Sequence, residues 1–105
     1  MRRVCRFEFG QSVPMEEVED TLLLAILAAE GVHGQARVRL DAGYHVAEDA
    51  HACVVDTSTP VGETVAQVFT GYLIREFGED AFLVERLDAA DPAAEAQGAC
   101  AGAPR

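Results

Sequence analysis

The run Asp56, Thr57, Ser58, Thr59, Pro60 comes closest to a ligand site in residue type. It leads from an apolar stretch into a helical pattern that starts at proline. The first turn of a helix offers free N–H groups and a positive dipole end, which hold phosphate or carboxylate. The same residues carry the opposing argument. A hydroxyl just before Pro60 is what a helix N-cap requires, Asp56 repels an anion, and neither a glycine-rich loop nor a lysine follows as in a phosphate-binding loop. Capping accounts for Thr57, Ser58 and Thr59, and an anion site is the alternative use.

The three imidazoles are His33, His45 and His51, with Asp41, Glu48 and Asp49 close to the last two. Two histidines six apart at a hairpin tip can face each other, which is the start of a His/carboxylate metal set. No third nitrogen or thiolate follows at ligand spacing, so the expectation is exposed hairpin residues, no metal and no cofactor. Cys5, Cys53 and Cys100 are odd in number and lack paired C-x-x-C spacing. Cys5 and Cys53 fall at inward strand positions, where a thiol resists ionisation and makes a poor nucleophile. Paired carboxylates such as Glu16 with Glu17 sit at helix ends and are expected to be solvated.

The elements that must position these residues follow from periodicity. Cys5, Phe7 and Phe9 alternate with Val4, Arg6 and Glu8 in a first strand from Arg3 to Gly10. Pro14 and the acids Glu16, Glu17, Glu19 and Asp20 open a helix that runs to about Glu30, with Gly31 and Gly34 as its closing glycines. Val18, Leu22, Ala25, Ile26 and Ala29 form its core stripe, and Leu23, Leu24 and Leu27 widen the stripe beyond what one sheet face needs. Ala36 to Val46 alternates apolar and polar at every position and predicts a long half-buried strand. A polar turn over Ala47–His51 leads to a strand over Ala52–Asp56. The capped helix then runs from Pro60 to Gly78, with Gly62 and Gly71 inside it, and a last strand spans Ala81–Leu87.

This order predicts an α+β domain over residues 1–87, a ferredoxin-like βαββαβ plait: a four-stranded antiparallel sheet in the order 4-1-3-2, with two helices on one face. Facing the helices are Cys5, Phe7, Phe9, Val38, Leu40, Ala42, Cys53, Val55, Phe82 and Val84. The open face shows Val4, Arg6, Glu8, Arg37, Arg39, Asp41, Val54, Asp56 and Leu83, with Val4, Val54 and Leu83 as an apolar patch that a second copy would bury. Residues 88–105, poor in aromatic and β-branched types, are expected to be disordered.

Net charge is −10, and residues 1–87 hold seven basic against fifteen acidic residues. Such a field opposes nucleic acid and anionic membranes as partners. All eight basic residues are arginine, which reflects a GC-rich, bacterial genome rather than a function. No stretch approaches the ~18 apolar residues of a membrane span, and the arginine-bearing N-terminus does not read as an export signal, so the expected location is cytoplasmic. The functional expectation is a small non-enzymatic module that forms a homodimer and binds a protein partner or small ligand. Its contact lies on the open face or on the leucine-rich helix. The alternative is an enzyme of the dimeric α+β barrel kind, with Arg6, Arg39, Tyr44 and His45 lining a cleft between sheet and partner.

Overall fold

The computed structural model describes residues 2–89. Its elements are β1 (Arg2–Phe9), α1 (Met15–His33), α2 (Gln35–Asp41), β2 (Tyr44–Ala47), β3 (Ala52–Asp56), α3 (Pro60–Phe77), a single 3-10 turn (Glu79–Ala81) and β4 (Phe82–Ala89). The strands form one antiparallel sheet in the order β2-β3-β1-β4, which is the predicted spatial order read from the other edge. The fold is α+β, and no helix among the described residues is long and apolar enough to cross a membrane.

The register sorts side chains between two faces. Cys5 pairs with Val55 and Phe7 with Cys53, so these four point the same way. They enter one core with Val18, Leu22 and Ala25 of α1 and Val61, Val65, Phe69 and Leu73 of α3. The rings of Phe7 and Phe69 meet edge to face at 4.8 Å and 64°, the geometry the aromatic quadrupole favours. Both long helices therefore cover the Cys5 and Phe7 face.

The expected strand over 36–46 is the main correction. Gly34, at φ 92°, ends α1, and the chain restarts as the short helix α2 before β2 begins at Tyr44. Alternation over a short run does not exclude a helix. Gln35, Ala36, Arg37, Arg39 and Leu40 are good helix formers, Val38 is the only β-branched residue among them, and Arg37 reaches Asp41 one turn on at 3.6 Å. Val38 alone in this helix is buried, while Leu40, expected in the core, is 82% exposed. Arg37, Arg39 and Asp41 consequently lie on α2 rather than on the open sheet face.

Smaller corrections follow the same logic. Helix α1 passes through Gly31, where an added Cβ would meet nothing within 4 Å, and stops at Gly34 instead. Val84 faces the helix side but, on an edge strand, is exposed. Strand β4 continues two residues beyond Leu87, across the expected domain boundary. The expected disorder of the C-terminal segment, and Cys100 within it, lie outside the described residues.

Candidate functional site

The capping run is fully engaged. The Thr57 N–H and hydroxyl both donate to the Arg3 carbonyl, at 2.7 and 3.1 Å. Ser58 Oγ accepts from the Arg3 N–H at 3.0 Å, and the Ser58 N–H donates to Asp56 Oδ1 at 2.8 Å. Thr59 Oγ1 accepts from the Gly62 N–H at 3.1 Å and donates to the Asp41 carbonyl at 3.3 Å. These bonds extend the β1–β3 pairing past Asp56 and fix the entry to α3. Gly62 shows how close that entry is: a Cβ there would sit 1.9 Å from the Asp56 carbonyl oxygen. Sequence left open whether Gly62 and Gly71 mark close packing. Gly62 does, whereas Gly71 has open space around it.

The remaining candidates separate into two places on opposite sides of the sheet. Arg6 and His45 both stand opposite Val54, in one row across β1, β3 and β2 on the face away from the helices. Arg6 is only 4% exposed, its Nη1 contacts Glu8 Oε2, and its Nε has no partner among the described residues. Nε2 of half-buried His45 is likewise buried without a partner. Tyr44 pairs with Val55 and so faces the helix side. It lines a groove of about 230 Å³ with Leu23, Ile26, Glu30, Val38, Arg39 and Ala42. Arg6 and His45 are thus held apart from Arg39 and Tyr44, and the four do not enclose one cleft within this chain.

Sequence reasoning did not anticipate a cleft of about 670 Å³ at the β2 edge, lined by Glu19 of α1, His45, Val46, Ala47 and the turn residues Glu48, Asp49 and Ala50. Only the clustering of acids beside His45 and His51 hinted at it. His51 holds φ 51° in the turn and its carbonyl accepts from the Phe9 N–H at 2.9 Å, while His33 hydrogen-bonds Thr64 Oγ1 at 2.7 Å. The three histidines do not converge, and among the described residues no group of three or more His, Cys, Asp or Glu side chains is placed to hold a metal ion.

Both described cysteines lie in the core between sheet and helices. Burial pushes the Cys53 thiol up to about 12, with Glu19 adding to the shift. Burial also raises Cys5, against a smaller opposing pull from Arg86. Comparison with family models, curated proteins and solved structures finds no match to this chain.

Proposed function

We propose that this protein is a non-enzymatic binding module that works as a homodimer, joined through the surface formed by α1, α2 and the start of β2. The carrying observation is the set of large apolar side chains left in solvent there. Leu23, Leu27 and Val32 project from α1, Leu40 from α2 and Tyr44 from β2, all at least 44% exposed. An unpartnered apolar surface of this kind marks an interaction site. The groove beside Leu23 carries both signs of charge, Glu30 and Arg39. A two-fold contact can therefore set Arg39 of one copy against Glu30 of the other, which makes a second copy the fitting partner. The two buried, protonated thiols support a role without covalent catalysis.

The element order and sheet order are those of a ferredoxin-like plait in which α2 replaces the first half of the second strand, and we read the fold as a variant of that architecture. A small basic ligand is the second reading, favoured by the acidic lining of the cleft beside His45. The barrel-enzyme alternative would need a partner subunit to bring Arg6 and His45 together with Arg39 and Tyr44, which lie on opposite sides of the sheet in one chain.

Size exclusion with light scattering tests the dimer. The reading expects a dimer for the natural sequence and a monomer of unchanged circular dichroism for the Leu23→Glu, Leu27→Glu double variant. A monomeric natural protein, or a double variant that still dimerises, refutes it. Native mass spectrometry of the same preparation reports any co-purified ligand of the cleft.

A further inference from the structure

The two edges of the sheet are built differently. β2 is four residues long and runs into a turn with the acids Glu48 and Asp49, whereas β4 runs eight residues with no glycine, no proline and no break in its pairing with β1. No strand among the described residues lies beyond β4. Hydrogen bonds on either side of β1 fix which backbone groups of β4 are left over. The Phe9 N–H donates to the His51 carbonyl toward β3, and the Gly10 N–H donates to the Ala81 carbonyl toward β4, so the even-numbered residues of β1 aim at β4. Their partners Leu83, Glu85 and Leu87 bond back to β1, and the N–H and C=O groups of Val84, Arg86 and Asp88 point away from the sheet. The side chains beside this row are open as well. Leu83 is 71% exposed and Val84 44%, one on each face, and Glu85 and Arg86 are exposed. Native sheets blunt a long edge with a bulge, proline or lysine, and β4 has none of these.

We propose that β4 is a docking edge for an extended segment of a partner protein, apolar with a basic residue in it, which adds to the sheet as a fifth strand. Backbone bonds to Val84, Arg86 and Asp88 supply the attraction, and side-chain pairs supply the choice of partner. Arg86 is the only basic residue of the strand and is already paired with Glu63 at 3.6 Å. What the edge offers a newcomer is the apolar pair Leu83 and Val84 and the Glu85 carboxylate, with the acids Glu79 and Asp80 just ahead of the strand. Opposite charges and matched apolar residues facing each other across strands are stabilising, so the segment sets apolar residues against Leu83 and Val84 and a basic one against Glu85. A second copy fits this edge less well. Each chain carries a net charge of −10, and its β4 has no spare basic side chain to answer Glu85.

The edge lies across the sheet from β2 and stands apart from the helix-side dimer, and it is tested on the full chain. The probe is an end-blocked peptide, Lys-Val-Thr-Lys-Val-Val-Thr, which in antiparallel register sets valines against Leu83 and Val84 and a lysine against Glu85. In the free protein, amide hydrogen exchange is expected to be fast at Val84, Arg86 and Asp88 and slow at Leu83, Glu85 and Leu87. Saturating peptide is expected to slow the first three by about tenfold. The same peptide N-methylated at the residues facing Arg86 and Val84 is expected to have no effect, and Glu85→Lys is expected to weaken binding roughly tenfold. Slow exchange at Val84, Arg86 and Asp88 in the free protein overturns the proposal, because the edge is then already occupied. A peptide that leaves these amides unchanged, acts equally well when N-methylated, or perturbs α1 and α2 instead also overturns it.

Discussion

The outer face of the sheet and the outer surface of α1 are opposites of what their residue patterns suggest. The sheet face mixes charge with valine and reads as half-wet, yet Val4, Val54 and Arg6 are buried. The helix surface belongs to an amphipathic element whose stripe should end at the core, yet Leu23, Leu24 and Leu27 stand in solvent. Periodicity assigns residues to faces but says nothing about what covers each face, which depends on elements distant in sequence. In this protein the sheet's outer face behaves as interior and the helix surface as the free contact.

The sharpest way to break this comparison is to place one charge on each surface. Val54→Asp is expected to destabilise the protein by about 3–5 kcal/mol, the cost of an uncompensated buried charge. Leu27→Asp is expected to stay within about 0.5 kcal/mol, as exposed substitutions do. Urea unfolding of dilute protein, below the dimer range, measures both, and equal costs would erase the distinction.

The inner face supplies the scale for true burial. Cys53 has a thiol pKa near 12 in the fold against 9.0 for the ordinary group. The unfolded chain therefore releases this proton first, and the stabilisation is complete below pH 9.0 and lost as pH climbs toward 12. By roughly pH 11 the natural protein is expected to lose about 3 kcal/mol that Cys53→Ala keeps, from the linkage between proton release and unfolding. An identical pH profile for the two would mean that Cys53 is accessible to water.

Truncation gives a gentler version of the same contrast. Val4→Ala on the outer face is expected to cost about 1–2 kcal/mol, below the range for larger aliphatic residues, while Leu24→Ala on α1 costs little in a dilute monomer. The smallest effect is a gain. Gly71 lies exposed within α3, with nothing within 4 Å of an added Cβ, so Gly71→Ala is expected to stabilise by about 0.5–1 kcal/mol. Thermal unfolding resolves both, and a loss at Gly71 would show that something packs there.

What was legible in the sequence was what short-range chemistry decides. Thr59 before Pro60 marked the start of α3, Gly78 its end, and the alternation about Cys5, Phe7 and Phe9 marked the central strand. The strand order followed from element order and connection geometry. The run Ala36–Val46 failed because alternation and helix propensity pointed to different structures, and the φ of Gly34 with the burial of Val38 settled it for a helix. Among the candidate residues, Thr59 caps α3 as expected, whereas Thr57 and Ser58 bond the backbone of Arg3 instead. Of the residues grouped for a cleft between sheet and partner, Arg39 moves onto α2 with the corrected strand, while Arg6, Tyr44 and His45 stand on strands as their alternation implied. The cleft at the β2 edge was hidden because Glu19 reaches it from a helix far away in sequence.

The most direct measurement of the two-surface account is relaxation of the Val and Leu methyl groups by a neutral paramagnetic cosolute, followed as protein concentration is raised. The account predicts that Val4 and Val54 stay unaffected throughout, while Leu23 and Leu27 relax strongly in dilute protein and become shielded as dimers form. Relaxation of Val4 and Val54 in dilute protein, or Leu23 and Leu27 remaining accessible at every concentration, would contradict it.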